Sequence, residues 1–258
     1  MMFAMGGVLV AAVLFAAMVA LQDVGRRLGE RERRLSPDHE SGASSVAEGA
    51  VFALLGLFLA FTFSGAGSRF DERRQLIVEE ANAIGTAWLR LDVLPADQQP
   101  ALRDLFRRYV DARLNPPTLR AGIRVADQAS TDATQLQQQI WSASVAAARA
   151  SGQVAPFTVL LPALNDMIDI TTTRAAAVKV HPPAVVFVMV GVLALVGSVF
   201  VGYGTAGRRT SSWLHKFGFA AVMTVALYVI LDLEFPRVGL IRVDAMDQVI
   251  VDLRRSMD

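Results

Sequence analysis

The chain has 258 residues, 53% of them hydrophobic, and a mean hydropathy of +0.40, so its apolar share exceeds the roughly 45–50% of soluble domains and indicates membrane-embedded segments. Its 25 basic and 24 acidic residues leave a net charge of +1, which gives no electrostatic basis for binding nucleic acid. The sequence contains no cysteine and only three widely separated histidines, which excludes disulfides and thiol chemistry and leaves no expected metal or other cofactor.

Four apolar segments are long enough to cross a bilayer. They are residues 2–21, 46–66, 183–204 and 217–233. About 20 residues rising 1.5 Å each cover the roughly 30 Å hydrocarbon core, and a helix satisfies its own backbone there. The first segment lacks a basic leader region and its apolar run is longer than that of a signal peptide, so we interpret it as a retained span.

Charge does not decide which side of the membrane the connecting segments occupy. The short loop 22–45 carries five arginines, and the short loop 205–216 carries three basic residues. The positive-inside rule would place both loops in the cytoplasm. Seven basic residues flank the spans at the opposite face, namely Arg69, Arg73, Arg74, Arg174, Lys179, Arg237 and Arg242. Eight basic residues against seven leave both orientations open.

The insertion between spans two and three has the pattern of four helices. Ser68, followed by Asp71 three residues later, predicts the start of the first helix, and Pro95 predicts its end. The other three are predicted from Asp97 to residue 114, over 126–151 and over 156–179. A tail follows span four and ends in an amphipathic helix with Met246, Val249, Ile250, Leu253 and Met257 on one face.

These segments predict an all-α integral membrane protein with four transmembrane helices and a helical extramembrane domain between helices two and three. The predicted parts are residues 1–66, with helices one and two and their Arg-rich loop, and residues 67–182, the helical domain. Residues 183–233 hold helices three and four, and residues 234–258 form the tail, whose helix we expect to dock on the helical domain.

The charged segment that follows span two, "RFDERRQLIVEEANAIGTAWLRLD", has two faces when it is placed on a helix. One stripe is polar and contains Glu72, Gln75, Glu79, Asn82, Thr86 and Arg90. The other is mainly apolar and contains Arg73, Ile77, Ala81, Ile84, Trp88 and Leu91. One interpretation is a solvated helix with an arginine collar at the lipid headgroups. The other is a helix whose apolar stripe packs on the domain, with its polar stripe facing a vestibule or another subunit.

Further polar groups are predicted at the same face of the membrane. Asp232 and Glu234 end span four, and a polar patch around Asn165 and Asp169 lies on the last helix of the insertion. Snorkelling and ordinary capping are the simpler explanations. The alternative is a carboxylate and arginine network, whose candidates are Arg69, Asp71, Arg73, Arg74, Glu79, Glu80, Asn82, Asn165, Asp169, Arg174, Asp232, Glu234 and Arg237.

Three motifs carry a family resemblance. They are "FTFSGAGSRFDERRQLIVEEANAIGTAWLRLDVLP", "LPALNDMIDITTTR" and "DLEFPRVGLIRVD", and they resemble the bacterial bestrophin-like domain family from about residue 46 to the end. The resemblance implies a multi-pass homo-oligomer in the bacterial inner membrane. True bestrophins are pentameric ion channels whose second helices line a pore with an apolar neck. By that resemblance Phe58, Phe61 and Thr62 are candidates for its narrowest part.

Two departures from true bestrophins are visible. The chain has no clear counterpart of the bestrophin neck sequence and no acidic calcium clasp near its C-terminus. The leading prediction is an oligomeric channel or pore for small ions, supported also by glycines that permit close packing of the spans: Gly6, Gly7, Gly49, Gly56, Gly191 and Gly197. The alternative is a non-conducting scaffold or sensor that binds a partner through its helical domain. No nucleophile–base pair, metal-ligand spacing or phosphate loop supports an enzyme.

Overall fold

A computed structural model describes residues 2–35, 42–114, 123–207, 213–235, 240–241 and 244–258. Within these ranges the chain forms helices and turns and no strand, which confirms the all-α prediction. The α-helices are α1 (Met2–Leu35), α2 (Gly42–Leu89), α3 (Gln99–Leu114), α4 (Ile123–Ser151), α5 (Leu161–Lys179), α6 (Ala184–Gly204), α7 (Trp213–Glu234) and α8 (Asp244–Arg255). A 3₁₀ turn, Arg90–Val93, follows α2, and a π-helical turn, Pro156–Leu160, precedes α5.

Among the described residues, four helical stretches are long and apolar enough to cross a membrane, and each overlaps one of the four predicted segments. They include α1, α2, α6 and α7. The four-span prediction is therefore confirmed. The predicted helices of the insertion also appear as α3, α4 and α5, with ends close to those expected.

The predicted helix start at Ser68 is wrong. Helix α2 runs without interruption for 48 residues, so the apolar span and the charged segment form one helix. The helix continues through Ser68 because no proline interrupts this stretch. A capping residue is needed only where the first backbone N–H groups of a helix lack partners, and here they have them. The predicted end of this helix at Pro95 is also too late, because α2 ends at Leu89 and a 3₁₀ turn begins at Arg90. Leu94, which precedes Pro95, is extended, as the proline ring requires of its neighbour.

The chain forms two compact units, which are described separately. The membrane unit comprises Met1–Phe70 and His181–Arg242, and the helical unit comprises Asp71–Val180 and Val243–Asp258. Helix α8 thus belongs to the same unit as the insertion. Arg107 on α3 donates two hydrogen bonds to the Met257 carbonyl, at 3.0 and 2.8 Å, and Arg254 on α8 pairs with Asp111 at 2.8 Å. The tail helix therefore docks on α3.

In the membrane unit, α1 packs against α6 and α7. A core of Met18, Leu55, Val190, Ala194 and Ala220 lies between the spans. The closest backbone approach is between α1 and α6. A Cβ added at Gly25 would lie 2.0 Å from the Val199 carbonyl oxygen, and one added at Gly202 would lie 2.0 Å from that of Gln22. Only glycine fits at these two positions.

The glycines that the sequence singled out for close packing do not make this contact. A Cβ added at Gly6, Gly49, Gly56 or Gly191 would meet nothing within 4 Å, and at Gly7 it would meet only the Tyr228 ring at 3.7 Å. Gly197 is the exception, since its Cβ would lie 3.2 Å from the Phe52 ring. That part of the packing prediction is wrong for the described chain, because composition shows which residues are small but not where two helices cross.

In the helical unit, both predicted stripes of α2 are confirmed. The mainly apolar stripe is buried at all six positions, including Arg73 and Ile77. Its aromatic member, Trp88, meets Phe106 of α3 edge to face, with the ring centroids 6.1 Å apart. The polar positions from Glu72 to Thr86 are exposed. The interpretation of a free solvated helix is thereby excluded for this segment, because one side of it forms part of a core.

Candidate functional site

The centre of the helical unit holds a fully buried carboxylate, that of Glu80 on α2. Arg113 of α3 binds it with two hydrogen bonds, Nε to Oε1 at 2.6 Å and Nη2 to Oε2 at 3.0 Å. Arg174 of α5 binds the Oε2 oxygen as well. We call these three residues the Glu80 cluster. It joins three helices and places two guanidinium groups on one carboxylate, so every carboxylate oxygen is satisfied.

The sequence placed Glu80 and Arg174 in one network but missed Arg113. The sequence nevertheless contains a signal that points to Arg113. Arg113 lies four residues after Tyr109 and three after Val110, both of which are buried, so it continues the apolar face of α3. An arginine on a buried face requires an acid or carbonyl partner. That reasoning could have identified Arg113, although not the residue it pairs with.

Arg73 is also buried, but its partners are backbone carbonyls. Its guanidinium donates to Ala177 O at 3.2 Å and to Val180 O at 3.0 Å. These carbonyls end α5, where the last turn of a helix leaves acceptors without intrahelical donors and the dipole favours a cation. Arg73 therefore caps α5.

Of the other network candidates in the helical unit, Arg74 is half-buried and the rest are exposed. Asp71 pairs with Arg74 at 3.4 Å, Asn165 donates to Asp169 at 2.9 Å, and Glu79 accepts from Gln75 at 2.8 Å, each pair lying within one helix. Asn82 is exposed on α2. Exposed pairs of this kind contribute little to stability. The structure thus brings Glu80 and Arg174 together and leaves these residues at the surface.

The membrane unit has its own buried carboxylate, Glu234, at the end of α7. Arg69 binds it through Nε at 3.0 Å and Nη2 at 2.8 Å. His181 Nδ1 lies 2.8 Å from the other oxygen, and the His181 ring stacks on Phe235 with centroids 4.9 Å apart. A carboxylate opposes the dipole at a helix C-terminus, so it needs this cationic partner. The sequence grouped Arg69 with Glu234 but gave His181 no role.

Asp232 is nearly buried and binds backbone amides instead of an arginine. Its carboxylate accepts hydrogen bonds from Leu240 N at 3.0 Å and Ile241 N at 2.7 Å. Snorkelling to water is thus excluded as the explanation of this residue. Arg237, the remaining candidate, lies outside the described residues.

Replacing Asp232 with Ala should free the segment that follows α7. Two backbone N–H groups would lose their acceptor, at about 0.5–1.5 kcal/mol per hydrogen bond, because Leu240 is exposed and its amide can bind water instead. We expect amide hydrogen exchange at Leu240 and Ile241 to accelerate about 10- to 100-fold. Asp232→Asn keeps one acceptor oxygen and should retain most of the protection. Equal exchange in the wild type and the alanine variant would show that this carboxylate does not hold the segment.

The three neck candidates occupy different environments. Phe61 is 67% exposed. Phe58 packs against the core around Met18, and Thr62 is buried, with its hydroxyl donating to the Phe58 carbonyl at 2.6 Å. Of the three, Phe61 is therefore the most open to a partner outside this chain, and Phe58 is partly buried.

Phe61 belongs to a longer exposed face of α2, which we call the outer face. Its positions recur every three or four residues and all are exposed: Ala53, Leu57, Ala60, Phe61, Ser64, Ser68, Glu72, Gln75, Glu79, Asn82 and Thr86. The residue types change along the helix from apolar, through serine, to acidic and polar. The first part of this face lies in the membrane unit and the second in the helical unit.

A shallow groove of about 380 Å³ lies between α4 and α5 in the helical unit. It is lined by Thr134, Gln137, Gln138, Trp141, Ser142, Asn165 and Ile168. Beneath it, Gln137 donates to the Tyr109 hydroxyl at 3.1 Å, and burial raises the pKa of that phenol, which therefore stays protonated at neutral pH. In the part of the chain that the structure describes, no group of three or more His, Asp and Glu residues could hold a metal ion.

Comparison with known proteins gives a consistent result. The model of the Bestrophin-like domain matches residues 8–246. A bacterial bestrophin homologue from Klebsiella pneumoniae is 13% identical with a TM-score of 0.70, covering 95% of this chain and 97% of that one. A variant of that homologue with one mutation is 13% identical with a TM-score of 0.71, and the match covers 96% of this chain and 98% of that one. No curated protein sequence matches. At these identities the likeness to the solved structures is one of fold.

Proposed function

Because the chain belongs to the bestrophin-like domain family, we propose that it forms an oligomeric ion channel of the bacterial inner membrane, with α2 lining the pore. The family and the shared fold support this proposal. The single observation that carries it is the outer face of α2, which stays exposed from Ala53 to Thr86.

The chemistry of the outer face suits a pore. An apolar constriction can stop ions by excluding water, and charged groups outside it set ion preference. Phe61 and Leu57 are neighbours at i and i+4, and both side chains are about half or more exposed. We therefore place the constriction at Leu57 and Phe61 and assign Phe58 and Thr62 to the packing that supports it.

The acidic part of the outer face indicates cation preference. Glu72 and Glu79 are exposed on it, and none of its eleven residues is basic. Closed symmetry would repeat both carboxylates once per copy and form two rings of negative charge. Such rings raise the local concentration of cations.

Several copies are needed because one chain cannot enclose a path along its own exposed face. Closed cyclic symmetry brings the same face of each copy to a common axis. The number of copies is five by family resemblance. Small ions and the bilayer are then the partners, and the helical unit is the extramembrane domain of each copy.

The test is planar-bilayer recording of the purified oligomer in a potassium chloride gradient. We expect the reversal potential to show cation preference, and Glu72→Gln with Glu79→Gln to lower the permeability ratio about fivefold, the equivalent of about 1 kcal/mol of lost attraction. The matched control is Asp104→Asn with Asp132→Asn, which removes two exposed carboxylates from α3 and α4. An equal fall in the control would refute the assignment to the outer face.

The groove between α4 and α5 favours a second candidate, a non-conducting scaffold or sensor. Its amides, hydroxyls and indole ring could bind a partner segment or a small ligand. Absence of conductance in common salts, with oligomers verified by mass, would reject the channel and favour this candidate. So would a monomeric or dimeric particle without a central axis.

A further inference from the structure

The last part of α1 carries a surface that the pore proposal does not use. This part of α1 begins at the first charged residue of the helix, Asp23, and ends at Leu35, about 18 Å further on at 1.5 Å per residue. Arg27, Arg31 and Arg34 recur here at i, i+4 and i+7, so they share one face, and all three are exposed. We call them the α1 basic face.

Exposed apolar side chains run along the same side of the helix. Val24, Leu28 and Leu35 lie beside the α1 basic face by helical register, and each has about half or more of its surface exposed. That pairing is typical of helices at the boundary between lipid headgroups and acyl chains.

The acidic residues of this helix end are engaged elsewhere. Asp23 binds Lys216 Nζ at 2.7 Å, Glu30 binds Arg26 at 2.9 Å, and Glu32 accepts from the Tyr203 hydroxyl. Asp23 and Glu30 lie beside this face, four residues before and three residues after Arg27, but Lys216 and Arg26 bind their carboxylates. Glu32 lies on another side of α1. The α1 basic face therefore keeps an excess of positive charge.

We propose that the α1 basic face binds the phosphate groups of anionic phospholipids. Guanidinium groups form paired hydrogen bonds with phosphate, and an arginine next to an anionic leaflet gains about 1 kcal/mol. Val24, three residues beyond the apolar segment 2–21, contacts the upper part of the acyl chains. The occupant is a lipid because the face continues a helix that is itself apolar enough to span the membrane.

The experiment titrates the detergent-purified oligomer with phosphatidylglycerol or phosphatidylcholine and counts bound lipids by native mass spectrometry. We expect the wild type to prefer phosphatidylglycerol. Arg27→Gln with Arg31→Gln and Arg34→Gln should weaken that binding about 100-fold, or about fivefold per arginine, and leave phosphatidylcholine binding unchanged. The control variant Arg108→Gln, Arg149→Gln and Arg255→Gln removes three exposed charges from the helical unit and should bind as the wild type does.

Other results would overturn the proposal. They are equal binding of both lipids by the wild type, equal weakening in the control, or displacement of phosphatidylglycerol by equimolar inorganic phosphate. Dissociation of the triple variant into smaller species in phosphatidylcholine would assign the face to a contact between copies instead. If the triple variant does not insert, the three single variants decide, and unchanged affinity in all three refutes the proposal. None of these outcomes depends on conduction.

Discussion

Glu80→Ala should lower the free energy of unfolding by about 3–5 kcal/mol, because it leaves two arginines without their shared carboxylate in the core of the helical unit. Most of this loss is the cost of leaving the two arginine charges in the protein without a counter-charge, and the lost attraction to Glu80 contributes less. Arg113 and Arg174 lie on separate helices and their side chains are only 25% and 13% exposed, so most of each guanidinium environment is protein.

Thermal unfolding in detergent, followed by tryptophan fluorescence, measures this effect, because Trp88 lies in the same core. The adjacent residue supplies the matched control. Glu79 is exposed, and Glu79→Ala should change stability by less than about 0.5 kcal/mol. Similar losses in the two alanine variants would contradict the assigned burial. A double-mutant cycle with Arg113→Ala should show that the two residues are strongly coupled.

The second large effect is expected at the crossing of α1 and α6. In Gly202→Ala the new methyl group would lie 2.0 Å from the Gln22 carbonyl oxygen and 2.7 Å from the carbonyl carbon. The obstacle is backbone and not a flexible side chain, so the two helices must separate along their contact. We expect a cost of at least about 3 kcal/mol, the upper end of ordinary overpacking.

Recovery of monodisperse protein by size-exclusion chromatography, together with the melting temperature, tests this expectation. Gly25→Ala meets Val199 O at the same distance and should behave in the same way. Gly191→Ala on the same α6 is the control. Its Cβ would meet nothing within 4 Å, and replacing glycine inside a helix favours folding by about 0.5–1 kcal/mol. A stable Gly202→Ala oligomer would mean that α1 and α6 do not touch through their backbones.

The stripes of α2 could be predicted because helical periodicity is a local property of the sequence. Ile77 and Ile84 are buried and Glu79 is exposed as their register requires. The continuity of α2 was missed for a local reason too, since the Ser68 and Asp71 pattern mimics a cap inside a helix.

The side-chain pairings of the buried carboxylates are harder to predict, because they depend on which residues distant in sequence come together in the fold. Arg113 and His181 reach their carboxylates across 33 and 53 residues of chain. The glycine contact has a signal in the sequence, since Gly25 and Gly29 are four residues apart; Gly25 approaches Val199 and Gly29 approaches Ala206. This pair lies in the arginine-rich segment, beyond the apolar segment 2–21, so hydropathy does not mark it.

The backbone contact of α1 with α6, which Gly25 and Gly202 permit, also bears on the order in which the protein is made. About 180 residues separate the two glycines, so at 5–20 residues per second a ribosome needs roughly 10–35 seconds to supply the partner of α1. The delay is tolerable because a helix bonds its own backbone within the bilayer. Helix α1 therefore enters the membrane first and reaches its final packing only after α6 has been synthesised.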